Sequence, residues 1–119
     1  MHKLVRDQIP KIIENTGRRC NVRVLDETEY YLELKKKLVE EVDEFLTEAN
    51  LEELADIVEV IYALAKAIGH DVKKLDEVRR KKNSERGSFE QRLFIESTDN
   101  SPKILYPIYE FYAYLPRFL

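Results

Sequence analysis

Nine carboxylates and no lysine or arginine lie between Leu38 and Ala65. The acids are Glu40, Glu41, Asp43, Glu44, Glu48, Glu52, Glu53, Asp56 and Glu59. Basic residues flank the stretch, with Lys35-Lys36-Lys37 before it and Arg79-Arg80-Lys81-Lys82 after it. Close carboxylates repel one another unless a cation shares the site. A divalent metal ion is therefore the first candidate for neutralising them.

The periodicity of the sequence is helical almost throughout, and two long helices would carry these acids. The predicted helices cover about residues 7–17, 27–48, 50–69 and 71–86. Asp26 with Glu29, and Asn50 with Glu53, have the spacing of a capping box at the start of each long helix. The predicted fold class is all-α, a helical bundle in which an antiparallel helix hairpin carries the acidic site.

Helical geometry sorts the acids of the first long helix into inward and outward groups. The predicted buried face of this helix consists of Leu34, Leu38, Val42 and Phe45. Glu41 points into this face and Glu44 lies about 60° to its side, because successive residues are about 100° apart. Glu40 and Asp43 point away from the face.

The turn near residues 48–49 brings the inward acids of the two helices together. Glu53 points inward on the second helix, with Asp56 about 60° aside. Antiparallel pairing across the turn sets Glu44 opposite Glu53 and Glu41 opposite Asp56. Buried acids without partners are costly, and oxygen-only ligands favour a hard ion. These four acids are therefore the predicted ligands of Mg²⁺, with Mn²⁺ as the alternative.

Simpler interpretations exist for each acid. Acids on helices are most often solvated, and that interpretation applies to the outward acids Glu40, Asp43, Glu48, Glu52 and Glu59. Glu53 could serve only as the capping partner of Asn50, and Glu44 could be a surface acid. The shared inward orientation of the four acids, with no base among them, favours the metal site.

A metal held by carboxylates suits phosphoryl chemistry, which also needs positive charge around the phosphates. No Walker loop or Ser-His-Asp arrangement suggests another reaction. Lys3 and Arg6 near the start of the chain, and Lys82 and Arg86 late in the last helix, could supply this charge. Lys82 and Arg86 are the predicted phosphate contacts. Arg86 is the better candidate, because the adjacent Gly87 would let a phosphate approach the backbone.

Four segments resemble one enzyme family. They are Lys3-Leu-Val-Arg-Asp-Gln-Ile-Pro10, Lys37-Leu-Val-Glu-Glu-Val-Asp-Glu-Phe45, Glu52-Glu-Leu-Ala-Asp-Ile-Val-Glu-Val60 and Arg86-Gly-Ser-Phe89. Together, over roughly residues 3–96, they resemble the MazG-like all-α nucleoside triphosphate pyrophosphohydrolases, and within these the phosphoribosyl-ATP pyrophosphohydrolase-like subgroup. The family motif, Glu-Glu-x-x-Glu followed by Glu-x-x-Asp, corresponds to Glu40-Glu41-x-x-Glu44 and Glu53-x-x-Asp56.

The resemblance implies a function. It implies that Glu41, Glu44, Glu53 and Asp56 bind magnesium, the same four acids that helical geometry selects. It also implies hydrolysis between the α and β phosphates of a nucleoside triphosphate, giving monophosphate and pyrophosphate in the disposal of non-canonical or surplus nucleotides. Glu40 and Glu41 are the candidates for orienting the attacking water. The alternatives are phosphoribosyl-ATP hydrolysis in histidine biosynthesis and a non-catalytic helical dimer that binds a basic partner.

Length and composition bound the remaining expectations. The chain of 119 residues has a formal net charge of −3 and one cysteine, so neither nucleic-acid binding nor an internal disulfide is expected. The predicted division is one domain over residues 1–96 and an aromatic tail over residues 97–119. No leader peptide or membrane span is predicted, which favours a cytoplasmic protein.

The second long helix carries more apolar surface than one neighbour can cover. One stripe consists of Leu54, Ile57, Ile61, Leu64 and Ile68, and a second of Leu51, Ala55, Val58, Tyr62 and Ala65. Such a wide apolar sector must be buried from two directions. A homodimer or a higher homo-oligomer is therefore predicted.

Overall fold

The computed structural model describes residues 2–99, and this part of the chain is all-α. Its helices are α1 (Ile9–Glu14), α2 (Glu27–Thr47), α3 (Leu51–Ala67) and α4 (Val72–Arg86). No strand occurs between residues 2 and 99. The predicted fold class is therefore confirmed, and both long helices begin and end within two residues of their predicted limits.

The described part of the chain divides into two compact units, residues 2–75 and residues 76–99. The first unit contains α1, α2, α3 and the start of α4. The second contains the remainder of α4 and the segment that follows it, in which Phe89, Leu93 and Phe94 are exposed. The predicted aromatic tail lies, from residue 100 onward, outside the described residues. Its boundary stays a prediction.

Side-chain caps fix where α2 and α3 begin. The Asp26 carboxylate accepts a hydrogen bond from the Glu29 backbone N–H at 2.8 Å. The Asn50 side chain accepts one from the Glu53 N–H at 2.9 Å. Each cap satisfies a backbone donor that the first helical turn leaves without a partner. The caps, and the three-residue turn Glu48–Asn50, explain why the helix positions could be predicted from sequence.

The helices α2 and α3 pack against each other and form the helix hairpin that carries the core of the first unit. Among residues 2–99, the buried ones are Leu34, Val60, Ala65 and Glu41. The predicted buried face of α2 is wrong at Val42, which is 36% exposed. At 100° per residue, Val42 is turned about 100° from Glu41, toward the exposed side of the hairpin.

An extensive apolar surface, which we call the apolar face, is exposed on the hairpin. It consists of Leu32, Val39, Val42 and Leu46 of α2 and of Leu51, Leu54, Val58 and Ile61 of α3. Helical geometry places it on the side opposite the acids. Leu54 and Ile61, which the periodicity predicts to be buried, are 41% and 36% exposed. Among the described residues, no helix is long and apolar enough to span a membrane.

Candidate metal centre

The hairpin brings the four predicted ligands together. Glu41 and Glu44 come from α2 and Glu53 and Asp56 from α3, and one carboxylate oxygen of each lies within 4.8 Å of the others. Ligands on opposite sides of a Mg²⁺ ion are separated by about 4.2 Å, since each bond is about 2.1 Å long. The four oxygens therefore lie close to the spacing of the first coordination shell of one small divalent ion.

Two oxygens of this cluster have no hydrogen-bond partner. Glu41 is only 6% exposed, and its Oε2 atom and that of Glu53 are both buried without a partner. A buried carboxylate oxygen without a partner is costly. The donor set consists of carboxylate oxygens alone, which suits a hard cation better than zinc. The residues present therefore fit a divalent ion.

The simpler role considered for Glu53, as the capping partner of Asn50, is not what the structure shows. In a reciprocal capping box the Glu53 carboxylate would accept a hydrogen bond from the Asn50 backbone N–H. That N–H instead donates to the Glu48 carbonyl oxygen at 2.9 Å. The Glu53 side chain is thus left to the carboxylate cluster.

Lys37 is an internal counter-ion of the site. Its Nζ atom lies 3.2 Å from Glu41 Oε1 and 3.3 Å from Glu40 Oε2. Burial raises the pKa of Glu41, with a further increase from Glu44, while Lys37 acts in the opposite direction. Burial lowers the pKa of Lys37, but the hydrogen bonds and charges of Glu41 and Glu40 outweigh it, and the net shift is upward.

Glu40 does not point away from the site, although its position on the helix predicts that it should. Its side chain is 33% exposed, and it lies between Lys37 and Lys3, whose Nζ atom is 3.4 Å away. The prediction was wrong because helical geometry gives the direction of the Cα–Cβ bond only. Long basic side chains can draw an acid around the helix surface.

Arg6 contacts a different acid of the cluster, Asp56. Its Nη2 atom donates a hydrogen bond to Asp56 Oδ1 at 2.6 Å. The segment that carries Lys3 and Arg6 precedes α1 and has no regular structure. Periodicity therefore gives no indication of where this segment lies; the signals in the sequence are its basic residues and the resemblance of residues 3–10 to an enzyme family.

The basic residues beside the cluster neutralise only part of its negative charge. With all four carboxylates ionised, the cluster would carry four negative charges, and Lys37 and Arg6 form ion pairs with two of these acids. One divalent cation would neutralise the other two. The two basic residues therefore reduce the repulsion without removing the need for a metal ion.

Lys82 and Arg86, the predicted phosphate contacts, are exposed on the part of α4 that belongs to the second unit. Their role stays a prediction. A shallow depression of about 380 Å³ adjoins the cluster and is lined by Asp43, Glu44, Thr47, Glu48 and Glu53. None of these described lining residues is aromatic, so they offer a base no stacking surface.

Comparisons with known proteins assign the chain to a family. The sequence matches the MazG-like family over residues 24–94, more than half of the chain. The chain therefore belongs to the MazG-like family. It is also 48% identical, over 44 residues, to an uncharacterized protein of Mycolicibacterium smegmatis; the match covers 37% of this chain and 45% of that protein. No solved structure matches the chain.

Proposed function

We propose that this protein is a Mg²⁺-dependent hydrolase that converts a nucleoside triphosphate to the monophosphate and pyrophosphate. The observation that carries the proposal is the four-carboxylate cluster with its two buried oxygens that lack partners. Membership of the MazG-like family supports it, because the family consists in general of nucleotide pyrophosphohydrolases. Disposal of non-canonical or surplus nucleotides is the proposed role.

Glu41, Glu44, Glu53 and Asp56 would hold the ion in this proposal. A bound divalent ion supplies positive charge at the phosphate oxygens, where negative charge develops during hydrolysis. Residues of the hairpin then fix where the anhydride lies relative to the attacking water. Mn²⁺, which also accepts oxygen ligands, is the alternative ion.

Glu40 is the proposed group that orients the attacking water. Its carboxylate contacts Lys3 and Lys37 and is 33% exposed, so it can accept a hydrogen bond from water. Glu41 is less suited to this task because its second oxygen is buried. Glu41 therefore serves as a ligand, and Glu40 is the acid that a water molecule can reach.

We also propose that two copies of the chain associate through the apolar face. Leu46 and Leu51, at the turn end of the hairpin, are 73% and 80% exposed. Exposed apolar surface of this extent on both helices favours burial against a matching surface. A second copy offers the same face, and two hairpins packed in this way form a four-helix bundle.

The test of the function is a panel of canonical and modified nucleoside triphosphates, with phosphoribosyl-ATP included. Purified protein is incubated with each compound in Mg²⁺ or in EDTA. The products are separated so that monophosphate with pyrophosphate is distinguished from diphosphate with phosphate. We expect monophosphate and pyrophosphate, formed only with the metal, and the rank order of rates identifies the substrate.

Two results would contradict the proposal. Diphosphate and phosphate as products would place the attack at the γ phosphate. No turnover of any compound would favour the non-catalytic alternative, a helical dimer whose acidic residues bind a basic partner. Phosphoribosyl-ATP as the preferred substrate would retain the reaction and change the biological role to histidine biosynthesis.

A further inference from the structure

We infer that Lys3 and Arg6 form a phosphate-binding site on the N-terminal segment, and that Arg6 exchanges Asp56 for a substrate phosphate when the metal ion binds. The inference rests on the proposed function and adds a substrate-binding residue to it. Arg6 Nη2 lies 2.6 Å from Asp56 Oδ1, so the guanidinium already lies beside one of the four proposed ligands.

The Arg6–Asp56 ion pair is weak enough to be exchanged. The two side chains are 56% and 37% exposed, and an exposed ion pair contributes only about 0–1 kcal/mol. A carboxylate that binds a divalent ion gives up part of its negative charge to that ion. Metal binding at Asp56 therefore weakens its attraction for Arg6 and frees the guanidinium at the edge of the site.

A phosphate is the ligand that fits the freed side chain. A guanidinium can donate two parallel hydrogen bonds to phosphate oxygens. Lys3 adds a second positive charge on the same segment, where it contacts Glu40 at 3.4 Å and is 42% exposed. The four acids repel the negatively charged triphosphate, and Lys3 and Arg6 would offset this repulsion beside the metal ion. The ligand class is thus a polyphosphate chain, independent of the nucleobase.

Lys37, unlike Arg6, is a basic residue that is largely buried in the site. Its side chain is only 17% exposed and has two carboxylate partners, Glu40 and Glu41. A lysine held in this way is part of the site's permanent charge balance. Arg6 pairs with the single carboxylate of Asp56, has a greater exposed fraction and lies on a segment without regular structure. These features suit a side chain that changes partners.

The experiment compares the full chain with Arg6→Gln, Arg6→Lys and the control Arg23→Gln. Arg23 forms an ion pair of the same length, 2.6 Å, with Glu29. Glu29 lies about 18 Å along α2 from Glu41, at 1.5 Å per residue. Calorimetry measures the binding of Mn²⁺ alone and then of methylenediphosphonate, a pyrophosphate analogue that cannot be hydrolysed, in the presence of Mn²⁺. Circular dichroism confirms the fold of each variant.

We expect Arg6→Gln to bind Mn²⁺ up to about fivefold more tightly, because a competitor for Asp56 worth at most about 1 kcal/mol is removed. The same variant should bind methylenediphosphonate about tenfold more weakly, since one charge-assisted contact is lost. Arg6→Lys should retain part of the phosphonate affinity, and Arg23→Gln should match the wild type in both titrations.

The two titrations separate this inference from the proposed function. If the wild type fails to bind Mn²⁺, the proposed function fails and the inference fails with it. If the wild type binds both Mn²⁺ and the phosphonate but Arg6→Gln behaves in the same way, only the inference is overturned. Weaker Mn²⁺ binding by Arg6→Gln would also overturn it, because Arg6 would then support the metal site rather than compete for Asp56.

Discussion

Lys37 Nζ lies 3.2 Å from the carboxylate of Glu41, one helical turn further along α2, and both side chains are largely buried. The pair links the core of the helix hairpin to its acidic cluster. A buried ammonium group would be costly without a partner, and the same holds for Glu41. Each therefore offsets the cost of burying the other. Together they reduce the net negative charge of the cluster to which a metal ion would bind.

This pairing predicts a non-additive response to mutation. Lys37→Met should lower the free energy of unfolding by about 1–3 kcal/mol, because Glu41 loses its buried counter-ion. The double variant Lys37→Met/Glu41→Gln should recover part of the loss, since the uncompensated carboxylate is gone. Urea denaturation of the four proteins in the cycle, in EDTA, measures the coupling. Additive losses would show that the pair contributes nothing to stability.

The raised pKa of Glu41 predicts how stability depends on pH in the absence of metal. Burial raises this pKa above the ordinary value of 4.5, so the folded state binds the proton more readily than the unfolded state. The contribution of Glu41 is complete below its unfolded pKa and is lost as the pH rises through the folded one. Glu41→Gln, which cannot ionise, should therefore become more stable relative to the wild type as the pH rises.

Denaturation in EDTA at about pH 5 and about pH 8 measures this difference. Glu59→Gln is the matched control, because Glu59 is an exposed acid of α3. Its stability relative to the wild type should change little over the same interval. A constant difference between the wild type and Glu41→Gln at both pH values would show that Glu41 is not perturbed by its surroundings.

Metal binding should stabilise the wild type and depend on Glu53. At a Mg²⁺ concentration one hundred times the Kd, the free energy of unfolding should rise by about 2.7 kcal/mol. Glu53→Gln should lose most of this gain, because the buried oxygen without a partner belongs to a proposed ligand. Its turnover should fall at least about 100-fold, the upper range for the loss of groups that merely support a metal ligand.

Thermal unfolding with and without Mg²⁺, followed by the nucleotide assay, checks both effects. Glu59→Gln again serves as the control and should keep the Tm increase and the activity of the wild type. An equal loss in the two variants would mean that Mg²⁺ responds to the general acidity of the hairpin rather than to a defined site.

A charge on the apolar face should disrupt the proposed dimer. Val58 is 41% exposed on this face, and Val58→Glu would place a carboxylate in the buried centre of the interface, where an unpaired charge is costly. We expect light scattering after size-exclusion chromatography to show a dimer for the wild type and a monomer for the variant. Lys66→Glu, which also adds negative charge to α3, should remain dimeric. A monomeric wild type would contradict the proposal.

Local signals in the sequence account for what could be predicted. The caps at Asp26 and Asn50 fix the helix starts, and the spacing of the acids then determines which of them converge. Both signals depend on contacts within a few residues of the chain. Helical spacing and a short turn are therefore enough to predict that the four acids meet.

Contacts between side chains that are far apart in the sequence could not be predicted. Glu40 contacts Lys3 across 37 residues of sequence, and Asp56 contacts Arg6 across 50. No periodicity describes the segment that carries these two cations. Val42 follows the apolar spacing of α2 and is nonetheless exposed, because spacing does not say which neighbour covers a face.

The short turn between α2 and α3 gives the carboxylate cluster one further property. All four acids lie within residues 41–56, two on each side of this turn. An ion shared by these pairs would be a reversible cross-link near the closed end of the hairpin. It would fix the rotation of each helix about its own axis. The orientation of the apolar face, on the opposite side of the hairpin, would be fixed with it. Loading of the ion and pairing of two subunits would then be governed by the same short stretch of chain.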